Sequence, residues 1–177
     1  SVSSSLQFMF NNIRNCRHMT FESQFRQNFT GFITCFQQMQ LFDTLHKSAQ
    51  LKQGKLIALE EGGDSFQNYA FQPGSTYGDY MTLLNYDPRY ASQVRNVHIN
   101  FLGVGNYKKL REFHYNELAV LRNRGIMLYN ALEKKSELYF VHLILKIYDG
   151  AEGNEAANHQ GVTADLGCMH CEEGRSK

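Results

Sequence analysis

His114, Glu117 and Arg124 follow one another at steps of three and seven residues. In an α-helix that spacing sets an imidazole and a carboxylate on adjacent turns of one face, with a guanidinium two turns further along it. Such a trio has the parts of a proton-transfer site, with His114 and Glu117 as acid and base and Arg124 holding an anionic substrate. The more ordinary role for the same residues is structural, with Glu117 and Arg124 paired at an edge or reaching past apolar neighbours to water.

A second stripe, Lys108, Arg111, Tyr115, Arg122 and Tyr129, interleaves cations with aromatic rings. Cations suit phosphates and rings suit bases, so the stripe is a candidate for single-stranded RNA. Glu133 continues it, however, and 18 Lys+Arg nearly balance 17 Asp+Glu. No global field therefore draws the chain to a polyanion, and the alternative is a solvated helix face.

Cys168-Met169-His170-Cys171 is the one metal-like spacing in the chain, since two thiolates separated by two residues can share a tetrahedral zinc. A closed site needs two further ligands, for which His159 and His170 are the nearby candidates, although His170 and Cys171 are adjacent and cannot easily serve together. Lacking a second Cys pair, the motif also reads as a redox pair or as two exposed thiols. Zinc here is the only cofactor the sequence suggests.

Two weaker constellations complete the set. Cys16 or Cys35 with His98 has the makings of a cysteine hydrolase, but both thiols fall on apolar helix faces, where Cys packs inertly. Gly103-Val104-Gly105 precedes a helix but lacks the third glycine of a dinucleotide fingerprint, and paired glycines more often make a tight strand-to-helix connection.

These residues must be positioned by elements that the hydrophobic pattern outlines. Leu6, Met9, Phe10, Ile13 and Cys16 recur at helical steps after three serines, and Phe21 to Phe42 continue with a second, wider apolar surface that stops by Gly54. Leu56–Leu59 and Phe66–Phe71 flank Glu61-Gly62-Gly63-Asp64-Ser65 and read as a β-hairpin. Tyr80–Tyr86 and Val94–Val104 are further strands, and Asn106 caps a helix that runs to Ser136. Its apolar stripe collects Leu110, Phe113, Val120, Leu121, Met127, Leu128, Ala131 and Leu132, with His114, Glu117 and Arg124 inside it. Leu138–Tyr148 could prolong that helix, but its Tyr, Phe, Val and Ile favour a strand. Residues 150–177 hold little to bury.

The expected fold is α+β: an N-terminal helical pair, a mainly antiparallel sheet, one long helix (about 106–136) packed on it, a closing strand and a polar C-terminal tail. Residues 1–149 form the domain, and 150–177 are flexible or held by a partner or metal. No apolar run is long enough to span a bilayer. Four cysteines are sparse for a disulfide scaffold and favour reduced, intracellular thiols, against which Asn28-Phe29-Thr30 matches a glycosylation acceptor. Thirteen Phe and ten Tyr permit a homo-oligomer. The expected function is a non-enzymatic binding or assembly module that recognises a protein partner or small ligand through the long helix and adjacent sheet. The alternatives are a small enzyme built on His114, Glu117 and Arg124, and a single-stranded RNA-binding protein.

Overall fold

The computed structural model describes residues 1–21, 36–67, 75–91, 93–104 and 108–148. Over these the chain is α+β, in the order α1 (Val2–Phe10), α2 (Ile13–Cys16), α3 (Phe36–Leu51), β1 (Lys55–Gln67), β2 (Ser75–Leu83), α4 (Pro88–Ala91), a 3-10 turn (Val94–Asn96), β3 (His98–Val104), α5 (Lys108–Arg124), β4 (Ile126–Asn130) and β5 (Lys135–Tyr148). The five strands form one sheet in the order β3-β2-β1-β5-β4. Neighbours run antiparallel except β1 and β5, which are parallel and need the crossover that α5 supplies.

Alternate residues of β1 feed two cores. Ile57 and Leu59 join Val2, Leu6, Met9 and Phe10 of α1 and Leu118 and Leu121 of α5 on one face. Leu56 and Ala58 join Phe42 and Ala49 of α3 on the other. A central strand covered on both faces explains the unbroken run Leu56-Ile57-Ala58-Leu59, which lacks the polar alternation of a half-exposed strand. No helix among the described residues is long and apolar enough to cross a membrane.

Four elements differ from the sequence expectation. The first helix is broken at Asn11-Asn12, where the Asn12 side chain accepts from the Arg14 amide (2.9 Å) and starts α2. In place of the expected Leu56–Phe71 hairpin, Lys55–Gln67 is one continuous strand, β1, paired along its second half with β2, while residues 68–71 lie outside the described residues. Gly62 serves packing there rather than a turn: a Cβ on it would stand 2.5 Å from the Tyr80 ring, which lies across β1. β3 starts only at His98, after the 3-10 turn.

The long helix, finally, ends at Arg124, and residues 126–130 form β4 instead. Gly125 makes the break at φ +73°, a left-handed conformation open to glycine, with two arginines in the preceding turn as a helix C-terminus favours. A Cβ at Gly125 would also meet Leu138 Cδ1 and the Tyr139 carbonyl oxygen, each at 2.9 Å. Gly125→Ala is therefore expected to cost about 2 kcal/mol, lowering the unfolding temperature by roughly 4–8 °C in a thermal melt.

Helix α3 begins within the segment expected as the second helix, and residues 22–35, with Cys35, lie outside the described residues, as does the tail 150–177. The closing segment is a strand, Lys135–Tyr148, as its composition suggests.

Candidate metal centre

Beyond Leu59, the face of β1 that carries Ile57 and Leu59 presents Glu61, only 1% exposed. Asp79, on the neighbouring strand β2 and opposite Gly63, is 0% exposed, and His114 of α5 closes over them at 5%. One ligand atom from each residue lies within 4.8 Å of the others. His114 Nε2 stands 3.5 Å from Glu61 Oε2, close to the roughly 3.4 Å between ligands about 2.1 Å from a shared tetrahedral ion.

Two β-bulges aim the surroundings of this cluster. Between Leu59 and Glu60 the β1–β5 register slips by one residue of β5, which brings Lys146 opposite Glu61. Between Asp79 and Tyr80 the β2–β3 register slips by one residue of β3, Asn100, whose Nδ2 donates to Asp79 Oδ1 at 2.6 Å. Tyr115 OH donates to Glu61 Oε1 at 3.1 Å and in turn accepts from Lys146 Nζ at 2.8 Å. Each carboxylate thus has one oxygen held by a neighbouring donor, as the carboxylate ligands of metal sites commonly do, and the other oxygen of Glu61 faces His114.

Among the described residues no donor reaches Asp79 Oδ2 and His114 Nε2 makes no hydrogen bond, although both atoms are enclosed. An enclosed polar atom without a partner costs about 1–3 kcal/mol, and two carboxylates in one pocket repel. Burial first, and then the charge of Glu61, push the Asp79 carboxyl up to about 7, against the smaller opposing influence of Asn100 and His114. In the absence of a cation the pocket is balanced by holding a proton.

Arg111 flanks the cluster, 7% exposed, donating from Nη2 to Tyr77 OH at 2.7 Å with its guanidinium 4.9 Å from the Tyr77 ring centroid. The His114 ring meets Phe101 edge-on at 6.1 Å.

The inward face of α5 is therefore Arg111, His114, Leu118 and Leu121, rotated from the stripe that hydrophobicity outlines. Leu110, Phe113 and Val120 are 41%, 68% and 51% exposed. His114 faces the core, whereas Glu117 points toward α1, where it accepts from the amides of Val2 (2.9 Å) and Ser3 (3.0 Å) and from the Ser3 hydroxyl (2.7 Å). Arg124 is exposed at the helix end, so the expected trio does not converge.

Nor does the cation–aromatic stripe form one surface. Arg111 is buried, Tyr115 turns toward Glu61, Arg122 is exposed, and Tyr129 belongs to β4 because the helix has ended; Lys108 starts α5, and its side chain lies outside the described residues. Cys168, Cys171, His159 and His170 likewise lie outside them. Cys16 is buried, donates its thiol to the Phe10 carbonyl at 3.1 Å, and is pushed up by burial, the reverse of an activated nucleophile.

Glu61 and Asp79 were not singled out by sequence reasoning. Glu61 lies in the stretch that reads as a turn, and Asp79 just before the expected Tyr80–Tyr86 strand, which in the structure is β2, Ser75–Leu83. The available signal was two-residue alternation: Ile57, Leu59, Glu61 on one strand and Tyr77, Asp79, Met81 on the other place each acid on a buried face. No known family model matches this chain and no curated protein is similar to it.

Proposed function

We propose that the chain is a divalent-cation-binding module, with the ion held by Glu61, Asp79 and His114 between the sheet and α5. This is a specific form of ligand recognition through that helix and the adjacent sheet. The observation that carries it is the convergence of three buried ligand atoms within 4.8 Å, with the outer oxygen of each carboxylate already engaged by Tyr115 or Asn100. Two carboxylates neutralise a divalent ion, and imidazole beside carboxylate suits Zn²⁺, Mn²⁺ or Fe²⁺ better than Mg²⁺ or Ca²⁺. Small side-chain shifts, under about 1 Å, would bring the three atoms to ligand distance. The ion would tie β1, β2 and α5 together and leave its remaining coordination positions to water or an anion.

After stripping with EDTA, protein supplied with Zn²⁺ or Mn²⁺ at about a hundred times the dissociation constant is expected to gain about 2.7 kcal/mol. That appears as an upward shift of roughly 5–11 °C in a thermal melt. His114→Gln should abolish the shift, while Cys168→Ser with Cys171→Ser should retain it. A shift retained by His114→Gln, or lost with the two cysteines, counts against the assignment.

A further inference from the structure

A second cavity of about 430 Å³ opens between α3 and α5 over β5, walled by Leu45, Leu118 and Val141 on its apolar side and by Arg122, His142 and Lys146 on its polar side. Its volume is in the range of small-molecule sites, and its mix of a broad apolar wall with a few polar groups is what such sites share. It forms because β4 is shorter than β5: their pairing ends at Ile126 opposite Tyr139, so the next residues of β5 run along an edge that β4 does not cover. An edge strand of this kind offers backbone donors as well as side chains.

The charge on the lining is one-sided. Among the described residues two cations line the cavity and no carboxylate does. Among the described residues neither Arg122 nor Lys146 pairs with an acid. Lys146 donates to Tyr115 OH and lies 4.2 Å over the Tyr115 ring. The effect on the third polar group agrees: burial, followed by the charges of Arg122 and Lys52, pushes His142 down to about 4, so it is neutral at ordinary pH. Burial also lowers Lys146. An apolar pocket whose described lining holds two cations and no carboxylate is complementary to an organic anion, and two cations fit a dianion better than a monoanion.

We propose that this cavity binds a phosphate monoester with an apolar or aromatic body, its phosphate between Arg122 and Lys146 and its body against Leu45 and Leu118. The cavity shares Tyr115 and Lys146 with the surroundings of Glu61, but none of the three proposed ion ligands lines it, and its test is run in EDTA so that its outcome is separate from that of the cation reading.

The probe is 2-naphthyl phosphate, titrated calorimetrically into the EDTA-treated full chain at low salt. One-to-one saturation is expected, weakening as salt rises. Uncharged 2-naphthol, inorganic phosphate and the monoanion 2-naphthoate should each bind at least about tenfold more weakly. Arg122→Glu, at an exposed helix position, should weaken the probe by at least about tenfold with only a small fall in the urea midpoint, since it reverses a charge in the last turn of α5. Ala119→Leu fills the cavity without altering charge and should do the same. The proposal is overturned by no saturation at about 1 mM probe, by 2-naphthoate binding as tightly, or by undiminished binding to Arg122→Glu.

Discussion

Asp79→Asn is expected to make the metal-free protein more stable at pH 8, by roughly 2–12 °C in a thermal melt, and at the same time to erase its response to Zn²⁺ or Mn²⁺. Asp79 is wholly buried beside Glu61, and burial and that neighbouring charge hold its carboxyl at about 7 instead of 3.8. A carboxyl raised by about three pH units withholds on the order of 4 kcal/mol from the folded state once it is ionised. The amide removes that charge and keeps its carbonyl oxygen available to Asn100, while its NH₂ needs a new partner, so the net gain is about 1–3 kcal/mol. The direction with pH follows from the raised value. The folded chain keeps this proton longer than the unfolded one, so the carboxyl's contribution to stability is complete below pH 3.8 and lost as pH climbs through about 7. Wild-type metal-free protein should lose stability across that window, and Asp79→Asn should not. Cation affinity should run the other way, strengthening through the same window as the competing proton leaves. A variant that is destabilised, or that still responds to the ion, contradicts the role given to Asp79.

Glu117→Ala is expected to cost about 3 kcal/mol, a fall of roughly 6–12 °C, without weakening cation binding at temperatures where the variant is folded. The Glu117 carboxylate receives three hydrogen bonds at the start of α1, where backbone amides lack helical partners and a negative charge is favoured. Burial would raise its pKa, but the hydrogen bonds from Ser3 and Val2 outweigh burial and hold it below 4.5. The stability it confers is therefore present above pH 4.5 and lost as pH falls below that value. The fastening matters because α1 delivers Val2, Leu6, Met9 and Phe10, each at most 1% exposed, to the core shared with α5 and β5. Chemical denaturation of Glu117→Ala and Glu117→Gln measures the effect, the amide keeping part of it as an acceptor. An unchanged midpoint in Glu117→Ala would exclude this carboxylate as the fastening of α1.

Much of the architecture could be read from residue order, because its signals are local. The apolar run at Leu56–Leu59, the β-rich Leu138–Tyr148 segment and the helix after residue 106 all emerge as elements of the expected type. The failures have physical causes. Gly62 in β1 serves the close approach of Tyr80, a cross-strand fact that no neighbouring residue betrays. Gly125 does carry a stop signal, following Arg122 and Arg124 in a last turn, but continuing hydrophobic periodicity masks it. The buried face of α5 was misplaced because Phe113 and Val120 face water while Arg111 and His114 face the sheet, so hydrophobicity alone points the wheel the wrong way.

The site was half legible for the same reason. His114 is visible as a polar residue amid apolar helical positions, but its partners come from β1 and β2 and meet it only through strand register. Asn100 and Lys146 reach their places through bulges, which shift alignment by one residue and leave no mark in composition. Glu117, conspicuous on the wheel, belongs to a helix cap more than a hundred residues away in sequence.

Zinc K-edge X-ray absorption on protein carrying one equivalent of Zn²⁺ addresses the cation site most directly, since it reads ligand atoms rather than stability. The expected result is nitrogen and oxygen ligands at about 2.0–2.1 Å with imidazole scattering that disappears in His114→Gln. A shell of sulfur at about 2.3 Å would assign the ion to Cys168 and Cys171 and contradict a centre at Glu61, Asp79 and His114.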